Sequence, residues 1–272
     1  MRELLQAGPA VIGSWINSDS PVVAELMAHA GFDYLCVDAE HSAVDVPQTQ
    51  RLFQAIAAGR PECHPLVRLH GVDYALVKRY LDAGAHGVIA PLIRCREQVE
   101  LLIEAVKYPP QGLRGVGFCR ANRYGLDVAE HFREANDQIA VVLQIEHIDA
   151  VERIDDLLSV DGVDAVFIGP YDLTTSMGIT ARFDHPDYLV ARDRILEACR
   201  RHGVTAGIHV TLPDPHAVAQ RIAEGYGLIA YSLDITFLTT ACARGLAAIR
   251  DATGGAPADA SASHDTPGRA AA

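Results

Sequence analysis

Residues 140–172 read AVVLQIEHIDAVERIDDLLSVDGVDAVFIGPYD. An apolar, β-branched run, Ala140–Glu146, gives way to a helical pattern over Ala150–Leu158, then to a second apolar run, Ala165–Gly169. Runs this short and continuous suit strands buried on both faces, as in a parallel sheet covered by its own crossover helices. The same unit recurs in both directions. Strands are predicted upstream at Val11–Trp15, Tyr34–Asp38, Pro65–Leu69 and Gly87–Leu92, and downstream at Thr205–Val210 and Leu228–Asp234. Helical patterns fall at Pro21–Ala30, Pro47–Ala58, Tyr74–Ala83, Glu97–Val106, Pro186–His202, Pro215–Glu224 and Thr236–Arg250. Ser20-Pro21 and Asp214-Pro215 each set a capping side chain before a first-turn proline. Gly31, Gly84, Gly203 and Gly225 each follow a helix, where a left-handed residue closes it. Eight such units make a single α/β domain of the (β/α)8, or TIM, barrel class. An open doubly wound sheet fits less well, because no Gly-rich nucleotide loop is present.

The barrel is expected to span residues 1–253, with 254–272, rich in Ala, Gly, Pro, Ser and Asp, as a poorly ordered tail. A net charge of −12 without a Lys/Arg cluster argues against a nucleic-acid partner. Neither a signal peptide nor a bilayer-length apolar stretch is evident. Cys36, Cys63, Cys95, Cys119, Cys199 and Cys242 lack C-x-x-C spacing, which fits free thiols in a reducing cytoplasm. The irregular stretch is Lys107–Asn136, with Tyr108-Pro109-Pro110, several glycines, and Arg114, Arg120, Arg123 and Arg133 ahead of a short helix. A loop this long in a compact domain is usually functional.

In such barrels the chemistry sits at the C-terminal ends of the strands. Those ends carry Trp15; Asp38, Glu40 and His41; Arg68; Gln144 and Glu146; Asp172; His209; and Asp234. Each has a plainer alternative duty. Asp38 could cap a helix, but an Asp three residues before a His can also orient the imidazole of a general base. Alternation points Glu40 away from its neighbours, so it is expected to be structural. Gln144 and Glu146 share one side of their strand. Asp172 alone would read as a helix cap, yet with Glu146 on the adjacent strand two carboxylates could converge on an oxygen-ligated Mg²⁺ or Mn²⁺. Arg68 ends an apolar strand, where it would either pair with Glu40 or Asp82 or hold a substrate anion; the anion is the favoured reading. Lys78 and Lys107 are the sole lysines, and both fall on helices or their ends. A Schiff-base aldolase, which needs a pocket lysine, is thereby excluded.

Together these residues resemble the HpcH/HpaI family of class II pyruvate aldolases from about Gly13 to Gly245. The blocks that carry the likeness are Ala24-Glu25 through Gly31-Phe32-Asp33, Val37-Asp38-Ala39-Glu40-His41, Val67-Arg68, Leu81-Asp82-Ala83-Gly84, Tyr108 through Gly115, Gln144-Ile145-Glu146, and Gly169-Pro170-Tyr171-Asp172-Leu173 with Met177-Gly178. The resemblance implies reversible aldol cleavage of 4-hydroxy-2-oxoacids to pyruvate and an aldehyde, with no organic cofactor. It implies that Glu146 and Asp172 hold a divalent metal (Mg²⁺, Mn²⁺ or Co²⁺) with Gln144 beside it. The Gly169-Pro170-Tyr171 turn takes the substrate carboxylate through backbone amides, and Arg68 stabilises the enolate. His41, paired with Asp38, moves the proton, Asp82 supports that network, and Trp15 walls the pocket. It also implies a homohexamer, a trimer of dimers with exchanged C-terminal helices. Tyr171 and His209 depart from the commoner pattern, small and aliphatic respectively, so the acceptor aldehyde does not carry over. Two rival readings are an acyl-CoA lyase of the citrate-lyase-β type and a non-catalytic barrel that serves as a binding module.

Overall fold

The computed structural model describes residues 1–254, and the tail expected beyond Gly254 lies outside them. Eight parallel strands close into a barrel in chain order. They are β1 (Val11–Ile16), β2 (Tyr34–Asp38), β3 (His64–Arg68), β4 (Gly87–Ala90), β5 (Ala140–Ile145), β6 (Ala165–Ile168), β7 (Thr205–Val210) and β8 (Leu228–Leu233). The helices before β5 are α1 (Arg2–Gln6), α2 (Pro21–His29), α3 (Val46–Gly59), α4 (Tyr74–Asp82), α5 (Arg96–Val106) and α6 (Val128–Gln138). After it come α7 (Ile148–Glu152), α8 (Ile154–Leu158), α9 (Pro170–Ser176), α10 (Pro186–His202), α11 (Pro215–Ala223) and α12 (Asp234–Thr253).

Strand alternation divides the core into two layers. Trp15, Tyr34, Cys36, Leu66, Ile89, Val142, Phe167 and Leu228 fill the barrel interior. Leu35, Val37, Val67, Val141 and Val166 face outward against the helices. The predicted caps form: Ser20 Oγ accepts from the Val23 N–H, and Asp214 Oδ1 from the His216 N–H. Among the departures from expectation are two in the helices. The helix read over Ala150–Leu158 is two helices, α7 and α8, which meet at Arg153 with φ −107° and ψ 16°. Helix α1, not anticipated, closes the barrel's N-terminal end, where Arg2 Nε bonds Asp164 at 2.5 Å and Met1 and Leu5 join the interior core.

Candidate active site

Asp38 and Arg68 end adjacent strands as register partners. That geometry lets the guanidinium grip the carboxylate with both arms, Nε to Oδ1 at 2.9 Å and Nη2 to Oδ2 at 2.6 Å. Asp38 is 1% exposed. Burial alone would raise its pKa, but the Arg68 fork together with the His41 and Glu40 backbone N–H groups holds the carboxyl below its ordinary value. Asp38 also accepts from Asn17 Nδ2 and from the backbone N–H groups of Glu40 and His41. Its acceptor capacity is thus spent, and the expected Asp38–imidazole pairing is corrected: Asp38 holds Arg68. The exposed His41 ring faces Glu40 instead, Nε2 lying 3.6 Å from Oε2. Glu40, expected to point away, also stands 3.4 Å from Arg68 Nε. The alternation argument failed because β2 ends at Asp38, two residues earlier. Glu40 Oε2 is buried without a hydrogen bond, and burial raises this carboxyl's pKa.

Glu146 follows β5 and is 3% exposed. It accepts from Gln144 Nε2 and from the backbone N–H of Leu92 at 2.7 Å, which Leu92 presents from a left-handed conformation, φ 53°. Position 169 must be glycine, since a Cβ there would sit 2.7 Å from Glu146 Oε2. Gly169 caps α9, whose first turn carries Pro170, Tyr171 and Asp172. The N–H groups of Tyr171 and Asp172 have no carbonyl within the helix to bond, so they are free to face an anion. Burial raises the Glu146 pKa, and the charges of Glu40 and Asp172 add to it. Gln144 Oε1 is buried and unpartnered. Excess negative charge beside an orphaned carbonyl oxygen fits a hard divalent cation. No cluster of three or more His, Cys, Asp or Glu suited to a metal occurs among the described residues. An ion here would therefore take two carboxylates and draw its other oxygens from substrate and water.

Trp15, Arg68, Gln144, Gly169, Pro170, Tyr171, Asp172 and His209 line one cavity of about 110 Å³. Pockets for drug-sized ligands run to roughly 300–1,000 Å³, so this one suits a molecule of a few carbons. Arg68 Cζ lies 4.5 Å over the Trp15 ring, which packs edge-on against Phe167 and His209. Tyr171 turns against Phe183, ring centroids 4.9 Å apart. The His209 Nε2–H donates to the Ser232 carbonyl at 3.2 Å. A carbonyl only accepts, so Nδ1 keeps its lone pair. Burial pulls the His209 pKa down to about 4, leaving the ring neutral at pH 7. Ser232, unmarked by the sequence, is left-handed at φ 52° near the β1–β8 register shift, and its carbonyl serves both His209 and Ser14. Asp82 ends α4, toward the N-terminal end of the barrel, and pairs with Arg114 at 2.8 Å. Within this chain it does not join the His41 group. Larger cavities lie elsewhere, at the N-terminal end and beside α2 and α12, so size does not locate the chemistry.

The family model described as HpcH/HpaI aldolase/citrate lyase matches residues 11–241. The chain belongs to this family. Among HpcH/HpaI relatives it is 36% identical over 242 residues to a hydroxypyruvate/pyruvate aldolase of Pseudomonas aeruginosa, 87% of each chain being covered. It is 37% identical over 240 residues to a 4-hydroxy-2-oxo-heptane-1,7-dioate aldolase of Klebsiella pneumoniae subsp. pneumoniae, covering 87% of this chain and 88% of the relative. The crystal structure of an HpcH/HpaI aldolase/citrate lyase family protein from Burkholderia cenocepacia J2315 superposes with a TM-score of 0.87 at 34% identity, covering 92% of this chain and 98% of the other. The HpcH/HpaI match takes in every residue of the cavity described above.

Proposed function

We propose that this HpcH/HpaI protein is a divalent-metal-dependent carbon–carbon lyase. It reversibly cleaves 4-hydroxy-2-oxoacids to pyruvate, or a close 2-oxoacid, and an aldehyde. The observation that carries this reading is the meeting of Arg68, Gln144 and Asp172 around one small cavity, with buried Glu146 behind it. Glu146 and Asp172 would hold the ion, with Mg²⁺, Mn²⁺ or Co²⁺ as candidates. Bound there, it supplies Lewis-acid withdrawal of electron density from the substrate's keto oxygen. The Tyr171 and Asp172 amides bind the carboxylate. His41, beside Glu40, takes the 4-hydroxyl proton as the C3–C4 bond breaks and the aldehyde leaves. Arg68 steadies the enolate oxygen of the remaining three carbons until C3 is protonated. The test is pyruvate release from a 4-hydroxy-2-oxoacid by chelated enzyme with each metal restored in turn. Cleavage of malyl-CoA in its place would favour the acyl-CoA lyase reading, and no metal binding at all would favour the non-catalytic barrel. Around this cavity Arg68 is the sole basic residue besides His209, which suits a small oxoacid better than CoA phosphates.

Two substitutions test individual roles. His41→Ala is expected to bind pyruvate nearly normally yet turn over about 10²–10⁴-fold more slowly, the usual contribution of a general acid–base group. Near-wild-type turnover would remove His41 from the mechanism. His209 Nδ1, an acceptor beside the cavity, is expected to favour aldehydes with a hydroxyl near the reacting carbon. His209→Leu should shift the glycolaldehyde-to-propanal preference by roughly two- to tenfold in kcat/KM, the worth of one neutral hydrogen bond at about 0.5–1.5 kcal/mol. An unchanged ratio excludes His209 from acceptor recognition.

A homohexamer with exchanged C-terminal helices is part of the proposal. Its support is the exposed apolar side of α12 (Ile235, Leu238, Leu246, Ile249) and the apolar groove it borders with Leu26, Met27 and Phe32. A cytoplasmic site of action is supported by cysteines that are all unpaired among the described residues. No helix there is long and apolar enough to cross a membrane.

A further inference from the structure

The proposed aldol chemistry leaves the long segment 107–136 unused, together with the cavity it helps to build at the opposite end of the barrel. That cavity is about 780 Å³. His64 opens β3 and His86 immediately precedes β4, so both imidazoles stand at the N-terminal rim. Their Nδ1 atoms are 2.9 Å apart, which requires one nitrogen to donate a proton to the other's lone pair. Arg120 forms another wall. Its guanidinium is half-buried and donates to the carbonyls of Ala83 at 3.2 Å and Phe53 at 3.4 Å. No carboxylate among the described residues pairs with it, whereas neighbouring Arg123 pairs with Asp127 at 2.8 Å. Arg123 and Tyr124 are both left-handed (φ 52° and 57°) in the turn that carries Arg120. That conformation is costly for non-glycine residues and persists only where the surrounding structure imposes it.

The charges around the pair are lopsided. Burial, reinforced by the Met1 amino group and eased by Asp33, holds the His64 pKa at about 4. Burial, then His64, the Met1 amino group and Arg120, hold that of His86 at about 3. His86 is exposed to the cavity. Glu3 is the one acidic residue in the lining. This field disfavours a cation, although two imidazole nitrogens so close would otherwise suit a transition metal. A guanidinium without a carboxylate partner beside polarisable imidazoles suits an anion.

We propose that this cavity binds a small dianion, a phosphate ester or dicarboxylate, between Arg120 and the His64–His86 pair, at a site separate from the aldol chemistry. A bound dianion favours the imidazolium over the neutral ring, so binding raises the pair's low pKa values. The test is calorimetric titration of the full-length, chelated protein with inorganic phosphate and with succinate. At least one is expected to bind. Arg120→Gln and the double variant His64→Asn/His86→Asn should each weaken that binding at least about tenfold, the scale of one lost charge-assisted contact. Aldol turnover without added anion should stay at the wild-type level in the double variant. Because Arg120 also bonds two backbone carbonyls, the histidine variant decides the matter if Arg120→Gln fails to fold. Binding of neither anion, binding unchanged in the histidine variant, or capture of Ni²⁺ by the pair in place of any anion would overturn the proposal.

Discussion

Glu146→Gln is expected to stop aldol cleavage outright, and Asp172→Ala to do the same. Each removes one of the two carboxylates proposed to hold the metal, while the remainder of the cavity stays intact. The Lewis-acid contribution at such a centre is several kcal/mol, so a loss of roughly 10³-fold or more in kcat is anticipated. Glu146 is the more informative site. Its carboxylate is buried between Gln144 and the Leu92 amide, where burial raises its pKa. Glu146→Gln keeps the shape but removes the charge that opposes burial and attracts the cation. The readouts are pyruvate release and calorimetric titration with Mn²⁺. Wild type should bind the ion and, once chelated, regain activity when it is restored. Neither variant should recover at any concentration that saturates wild type. Full activity in chelated wild type would sink the class II assignment.

The fold was legible because apolar β-branched runs and Gly/Pro punctuation alternate along most of the chain. Predicted strands tended to overrun at their C-terminal ends. Gly87–Leu92, for example, ends at Ala90 because Leu92 leaves the ladder to offer its N–H to Glu146. Helices α1 and α9, five and seven residues long, are too short to display a period. Residue types at the strand ends revealed the site's composition, but its pairings depend on register between strands, which spacing along the chain does not encode. Asp38 and His41 are close in sequence, yet the Arg68 fork from the neighbouring strand matches a carboxylate better than an imidazole does. Leu92 and Ser232 contribute backbone groups from left-handed conformations, and neither side chain announces that conformation.

Arg68→Ala is expected to damage stability and activity together, and a second substitution separates the two. Asp38 is almost wholly buried, and Arg68, 14% exposed, is its ionic partner. Removing the fork leaves an unpaired carboxylate in the barrel wall, a loss of about 3–5 kcal/mol or about 6–20 °C in Tm for a domain of this size. Removing a donor aimed at developing negative charge should also lower kcat by about 10²–10³-fold. The sign of the pH dependence follows from Asp38. Its folded pKa lies below the unfolded value of about 3.9, so the pair's contribution is complete above about pH 4 and is lost as pH falls through the lowered folded value. Wild type should therefore lose stability in that acid window, and Arg68→Ala should not show this component. Combining Arg68→Leu with Asp38→Asn removes both charges. The new amide can accept from the Glu40 and His41 N–H groups and, once the Asn17 amide that now donates to Asp38 turns over, donate to Asn17 Oδ1. Most of the lost stability should return, because an apolar replacement of a buried ion pair is often neutral. Activity should not return, since nothing then steadies the enolate. Recovery of turnover in the double variant would show that Arg68 serves only to neutralise Asp38, and the oxygen-stabilising role would pass to the metal position alone.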